Sequence, residues 1–348
     1  MNGRRKKYFF SVGVIVIIAA LTLYMLLKDN SVEDIWRTMR KMAPPCILAA
    51  MLMVVLYILF EGLGMRVTLS SFGTKVKVRK CFAYAATDMY YALITPSATG
   101  GQPVMLYTMN KDGVPFAKSA PAILINTICF KTILMILGAM IVIFKPKIVF
   151  GNGAVATMLF ILGILFNLFL IAVCFLSMFH QSLVRKFVYG LTKILKKIRI
   201  IKNPEKANAF LEKHLKDYAQ CTEHIKRNKI IFLKVFLIII FQRLSLFSIS
   251  FFVYTGLGYS ELGYFEIILI QAAIAISVNS LPVPGAAGVT EAVFALLYSS
   301  IYPDGQVLVS ALLLTRIFDF YFSLVLSGGT TLINHISMSR KRRKKLTT

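Results

Sequence analysis

Acidic residues are scarce in this sequence: 15 Asp and Glu stand against 40 Lys and Arg, a formal net charge of +25. In a soluble chain that imbalance would point to nucleic acid. No RNA-binding or DNA-binding motif accompanies it, and the basic residues crowd the segments between apolar stretches, as the positive-inside rule requires, so nucleic acid is not the expected partner. Histidine is rare as well, at four, and the five cysteines, Cys46, Cys81, Cys129, Cys174 and Cys221, are scattered without C-x-x-C spacing. Neither pattern makes a metal site, and in apolar runs a thiol behaves as a small hydrophobe. One stretch, Gly151 to Ala156, fits G-x-G-x-x-A, but it lies between two apolar runs with no βαβ unit around it. It reads as a loop, and no cofactor is expected.

Charge of either sign is thin, with 16% charged residues against 57% apolar ones. Soluble domains use roughly 45 to 50% apolar residues, so a water-soluble fold has too little polar surface to hide this chain. Runs of about 20 apolar residues match the length that crosses about 30 Å of hydrocarbon. Such runs predict full spans near 8–27, 46–65, 119–144, 153–179, 230–257 and 306–333. The first follows Arg4, Arg5, Lys6 and Lys7 but is longer than a signal-peptide core and lacks a small-x-small cleavage site, so it reads as an anchor.

Two further apolar regions are broken. Residues 81–103 contain TPSATGGQP and residues 264–301 contain NSLPVPGAAGVTE, where clustered Pro and Gly interrupt a helical pattern. The N-terminal run, the 66–80 segment with Arg66, Lys75, Lys77, Arg79 and Lys80, the 180–229 segment and the tail SRKRRKK are the basic zones. All four fall on the cytoplasmic side if 81–103 dips into the membrane from that side and 264–301 dips from the other. Paired broken segments of opposite entry in two halves are the sequence mark of an inverted-repeat transport fold with its site near the midplane. The fold class predicted is therefore an all-α polytopic membrane protein, six full spans plus two re-entrant helical hairpins, with the tips at Pro96 to Pro103 and Pro282 to Gly288 approaching each other. The first half runs over 1–179 and the second over 230–333; a basic amphipathic segment, 180–229, joins them and a basic tail, 334–348, follows.

Within 180–229, Phe187, Leu191, Ile194, Leu195 and Ile198 share one helical face and Lys193, Lys196, Lys197 and Arg199 the other, the pattern of a basic interfacial helix. Asn203 caps a second helix opened by Pro204, with Phe210, Leu211, Leu215, Tyr218 and Ile225 as its stripe. Anionic headgroups are the partner such a face suits; ordinary positive-inside bias explains it equally well.

Ionisable groups in membrane spans cost about 2.5 to 3.5 kcal/mol each on insertion scales, so each needs a reason. Glu61, Asp88, Lys131, Arg243, Glu291, Arg316 and Asp319 all sit in or beside apolar stretches. Arg316 and Asp319 are three apart on one helix face and read as an intramembrane charge pair. Asp88 precedes the first break and Glu291 follows the second, so each carboxylate lies beside unwound backbone. There Thr95, Pro96, Gly100, Gly101 and Gln102, and Pro282, Pro284, Gly285 and Gly288, offer free backbone groups and close approach to a ligand. A carboxylate in that setting suits an ammonium, so these residues form the candidate substrate site; helix-to-helix hydrogen bonding is the plainer alternative.

The stretches TPSATGGQP at 95–103, LPVPGAAGVTEAVFALLY at 281–298 and LLLTRIFDFY at 312–321 resemble the lysylphosphatidylglycerol synthase transmembrane family, the flippase-like region of the multiple peptide resistance factor. By that similarity Asp88, Pro96, Gly100, Gly101, Pro282, Pro284, Gly285, Gly288, Glu291, Arg316 and Asp319 stand where the family carries its motif residues. The resemblance implies a bacterial cell membrane, a part in envelope charge and resistance to cationic peptides, and translocation of a phospholipid such as lysylphosphatidylglycerol or another polar or aminoacylated lipid. In that family a C-terminal cytosolic domain makes the lysyl lipid from lysyl-tRNA and phosphatidylglycerol. Only residues 334–348 follow the last predicted span, so the transport half is what the sequence leads one to expect, with a separate synthase or a second copy of the chain as partners. Two other readings stay open: phosphatidylglycerol lysyltransferase, and a scaffold or regulatory subunit whose charges only join helices.

Overall fold

The computed structural model describes residues 42–95, 98–145, 147–180, 204–279, 288–302 and 304–347, with isolated helical positions between 33 and 40 and between 182 and 190. The span expected at 8–27, the interfacial face from Phe187 to Arg199, and Pro96, Pro282, Pro284 and Gly285 lie outside them. Among the described residues there is helix and no strand, the all-α polytopic architecture that hydropathy predicts.

Among the described residues each half opens with a long apolar helix. In the first, α1 (Pro44–Ser71) starts on Pro44, whose missing N–H suits a first turn. Next come α2 (Val78–Ile94) and α3 (Gly101–Lys111), two short arms separated by the Thr95 to Gly100 break, and then the long α4 (Phe116–Phe144). A single turn, α5 (Lys147–Phe150), leads through Gly153 at φ 91° into α6 (Ala154–Phe179). The G-x-G-x-x-A stretch is thus a connection over Gly151 to Gly153 that runs into the first turn of α6. The second half repeats the order after α7 (Pro204–Arg227): long α8 (Lys229–Gly256), then short α9 (Tyr264–Val278) and α10 (Val289–Tyr298) around the second break. A final helical run comprises α11 (Gly305–Arg316), a π-helical turn (Ile317–Phe322) and α12 (Ser323–Thr347). Among the described residues five helical stretches, α1, α4, α6, α8 and the run Gly305–Met338, are long and apolar enough to cross a bilayer.

The first hairpin is longer than the sequence suggests. Its returning arm, α3, continues to Lys111, because Gln102, Thr108 and Asn110 dilute an apolar pattern that the helix nonetheless keeps. Glycine sets how closely these elements pack. A Cβ on Gly62 would lie 2.8 Å from the Cys81 carbonyl, and one on Gly163 would lie 2.0 Å from the Ile276 oxygen. The α1–α2 and α6–α9 crossings therefore bring backbone against backbone, the small-residue packing used between membrane helices.

The most extensive helix pair joins the first long helices of the two halves, α1 and α8. They run antiparallel: Ala43 N–H donates to the Gly256 carbonyl at 3.1 Å, and farther along Tyr57 and Glu61 meet Arg243 and Gln242. Val54, Ile58 and Met65 pack with Phe247, Ile249 and Val253 in one core. Outward, α6 exposes Met158, Ile161, Leu165, Phe169, Val173 and Leu176. So large an apolar face is stable only against hydrocarbon or another apolar surface. The amphipathic α7 turns inward instead of lying free: Tyr218 donates to the Ser177 carbonyl at 2.7 Å, and Ile225 is buried against α4 and α8.

Candidate functional site

Among the described residues buried charge collects in two clusters, one beside each break. The first joins three helices. Glu61 on α1, Lys131 on α4 and Arg243 on α8 are each less than a tenth exposed. Gln242 donates through Nε2 to Glu61 Oε2 at 3.2 Å, and Arg243 Nε donates to Gln242 Oε1 at 3.3 Å. The guanidinium also donates to the Tyr57 hydroxyl at 2.8 Å and lies 4.0 Å from the centre of the Phe130 ring, over which Lys131 Nζ also stands. Such cation–π contacts stabilise a desolvated cation by about 0.5 to 2 kcal/mol.

Asp88 enters this cluster from the first hairpin. Its Oδ1 is buried with no hydrogen-bond partner, on the side of the cluster that holds Glu61. Among the described residues no Lys, Arg or His nitrogen lies within ion-pair distance of either carboxyl. Arg243 is linked to Glu61 through the Gln242 amide.

The break beside Asp88 is closed by its own residues. Thr95 Oγ1 donates to the Tyr91 carbonyl at 2.6 Å and accepts from Gly100 N–H at 2.9 Å, and Ala98 takes a positive φ of 56°. A Cβ on Gly101 would lie 2.6 Å from both Asp88 O and Oδ1, so only glycine lets the start of α3 rest on Asp88. Gln102 Nε2 donates to Thr127 Oγ1 at 2.8 Å, tying that arm to α4. Thr95, Gly100, Gly101 and Gln102 thus tie the described part of the break to α2 and α4.

The second cluster lies where α10 meets the last helical run. Arg316 Nε donates to Glu291 Oε1 at 2.7 Å, whereas Asp319 Oδ1 stands 4.0 Å from Arg316 Nη1. Spacing alone makes Asp319 the obvious mate of Arg316; the fold gives the short contact to Glu291. Here the backbone leaves the α pattern for the π-helical turn, and Ser323 Oγ donates five residues back to the Phe318 carbonyl at 3.0 Å. Single π turns cluster at functional sites. Glu291 Oε2, Arg316 Nη2 and Asp319 Oδ1 are buried without hydrogen-bond partners. Gly288, at φ 81°, caps the arm that carries Glu291.

The structure therefore assembles Glu61, Asp88, Lys131 and Arg243 in one group and Glu291, Arg316 and Asp319 in another. It adds Tyr57 and Gln242, neutral residues that a search for charges passes over. The adjacent pair Gln242 and Arg243, polar inside a 28-residue apolar helix, is the signal that would have found them.

A profile described as the lysylphosphatidylglycerol synthase TM region matches residues 10–327. A protein described as a UPF0104 membrane protein, from Archaeoglobus fulgidus, is 24% identical over 304 residues, which cover 84% of this chain and 87% of that protein. With nearly the whole membrane region matched, the chain belongs to the lysylphosphatidylglycerol synthase TM-region family.

Proposed function

We propose that this chain moves a phospholipid between the two leaflets, its headgroup passing along the buried charges while the acyl chains stay in the bilayer. One observation carries the reading. Each hairpin holds a carboxylate with one oxygen buried and unpartnered, Asp88 Oδ1 on α2 and Glu291 Oε2 on α10. A buried acceptor without a donor costs about 1 to 3 kcal/mol, more when charged, and a polar headgroup supplies donors. An ammonium, as in an ethanolamine or aminoacylated headgroup, does so with complementary charge. Membership of a family named for a lipid-modifying system supports a membrane-lipid role. The order of long helix, two short arms and long helix in both halves supports an inverted-repeat transport fold.

The basic zones orient it with the 66–80 segment, α7 and both termini in the cytoplasm. Lys80 Nζ, bonded to Asp112 Oδ2 at 2.7 Å and to Asn334 Oδ1 at 2.9 Å, then ties the first hairpin to α12 at the inner face. Lys145 and Glu266, paired at 2.6 Å, lie at the outer face. The test is reconstitution of the purified chain in liposomes carrying an acyl-labelled phospholipid in the inner leaflet. Exposure of the label to an external quencher faster than in protein-free liposomes supports the reading, and equal rates refute it.

A further inference from the structure

An arginine and a carboxylate that meet edge to edge frequently make two parallel hydrogen bonds. Arg316 and Glu291 make one. Arg316 Nε donates to Glu291 Oε1 at 2.7 Å, while a second atom on each side, Arg316 Nη2 and Glu291 Oε2, is buried without a partner. Asp319 does not fill the gap: its Oδ1 stands 4.0 Å from Arg316 Nη1 and is likewise buried and unpartnered. The triad thus keeps one open donor and two open acceptors, around an arginine side chain that is 9% exposed. Buried polar atoms in a native fold nearly always have partners, so three in one group call for an occupant with an acceptor and donors of its own. We propose that Glu291, Arg316 and Asp319 form the selectivity site for a zwitterionic headgroup carrying a phosphate and a primary ammonium. The phosphate accepts from Arg316 Nη2, and the ammonium donates to Glu291 Oε2 and Asp319 Oδ1.

Charge and donor count set the choice of headgroup. With all three side chains ionised, two carboxylates against one guanidinium leave the triad an excess negative charge. A headgroup with a phosphate alone would add repulsion in a low-dielectric site. A trimethylammonium supplies charge but no N–H, so both acceptors would stay open; a primary ammonium has donors enough for the two. The fold sets these groups on three short elements that meet. Glu291 lies in the first turn of α10, Arg316 ends α11, and Asp319 belongs to the π-helical turn that follows. Phe320 of that turn is buried, its ring 5.8 Å from the Arg316 guanidinium carbon, and it packs with Ile94 and Leu324 beside Tyr90 and Tyr91. The turn that carries Asp319 therefore also rests on the end of α2, the arm that carries Asp88.

The source of the headgroup rests on the lipid reading, and binding is measured apart from movement. The purified full chain in detergent is titrated by calorimetry with dihexanoyl phosphatidylethanolamine, phosphatidylcholine and phosphatidylglycerol, and with glycerophosphoethanolamine as the same headgroup without tails. The wild type should bind the ethanolamine lipid at least about tenfold tighter than either of the other two lipids, the loss expected when charge-assisted hydrogen bonds go unmade. Asp319→Asn, whose carboxylate makes no short contact to Arg316, should keep the wild-type melting temperature and lose most of the preference over phosphatidylcholine. Equal affinity for the three lipids, or binding of none, overturns the site and leaves the open atoms to water; the wild-type series decides this even if the variant misfolds. An unchanged preference in folded Asp319→Asn overturns it too. Preference for the ethanolamine lipid with equal binding of glycerophosphoethanolamine upholds the site and makes its ligand the headgroup alone. Preference without movement of acyl-labelled phosphatidylethanolamine in liposomes upholds the site and refutes translocation, whereas movement of labelled lipid without preference upholds translocation and refutes the site.

Discussion

Arg316 gives its short hydrogen bond, 2.7 Å, to Glu291 on the arm after the second break, and not to Asp319 three residues along its own helix. The pair joins α10, the short arm after the second break, to the long final run, so the charge holds tertiary structure. Removing the cation leaves two buried carboxylates uncompensated. Arg316→Met should therefore destabilise the protein by about 3 to 5 kcal/mol, the range for breaking one partner of a buried pair. Glu291→Gln keeps a hydrogen-bond acceptor and should cost less, and adding it to Arg316→Met should recover part of the loss. Thermal unfolding in detergent across this double-mutant cycle reads the coupling; strictly additive losses would remove the ion pair from the account.

Close packing at glycine makes a sharper structural prediction. Gly163→Ala places a methyl 2.0 Å from the Ile276 carbonyl oxygen, where backbone has to move, and should cost about 1 to 3 kcal/mol through overpacking. Gly329→Ala meets open space on a helix and should be neutral or stabilising by up to about 1 kcal/mol. Membrane abundance and melting temperature of the two variants decide it, and equal behaviour would put the α6–α9 contact in doubt.

At the other end of the first hairpin, Lys80 is the shared donor of Asp112 and Asn334, and Asp112 also accepts from the Tyr84 hydroxyl at 2.8 Å. Lys80→Met should loosen α2 from α12, with a loss of about 1 to 3 kcal/mol for the charged hydrogen bonds. Faster hydrogen exchange at the Val78 end of α2 than in the wild type is the expected readout, and unchanged exchange would argue that the contact is dispensable.

Orientation is checked by single cysteines in a background with the native five replaced by alanine. Glu261→Cys, in the exposed turn between α8 and α9, should react with an impermeant maleimide added to intact cells. Gln220→Cys on α7 should react only after permeabilisation. Reversed labelling would invert the topology.

Hydropathy located the described spans closely, since 46–65, 119–144, 153–179 and 230–257 became α1, α4, α6 and α8 with ends shifted by a few residues. Solvation by hydrocarbon is a local demand that each segment meets alone, and composition reports it directly. The charge clusters are different. Glu61 and Gln242 are 181 positions apart and Glu291 and Arg316 are 25 apart, and nothing local in either segment names its partner. Proline and glycine marked both breaks, yet how Thr95 and Gly100 close the first depends on a backbone turn that the residue pattern does not determine. The π-helical turn at Ile317–Phe322 was equally hidden, because one extra residue in a single turn leaves a 34-residue apolar run looking periodic.

The central claim is that the hairpin carboxylates serve a moving headgroup, and side-by-side translocation by wild type, Asp88→Asn and Glu291→Gln tests it most directly. An amide keeps shape and hydrogen-bonding capacity while removing the charge that draws an ammonium into a low-dielectric site. Each chain is reconstituted with acyl-labelled phosphatidylethanolamine, its fold is checked by melting temperature, and label exposure to an external quencher is followed over time. The account predicts that the wild type exposes inner-leaflet label at least about tenfold faster than folded Asp88→Asn, the ratio expected for about 1.4 kcal/mol of lost charge interaction, with Glu291→Gln also slowed. Full-rate translocation by both folded variants would contradict it and leave the carboxylates as helix-joining groups alone.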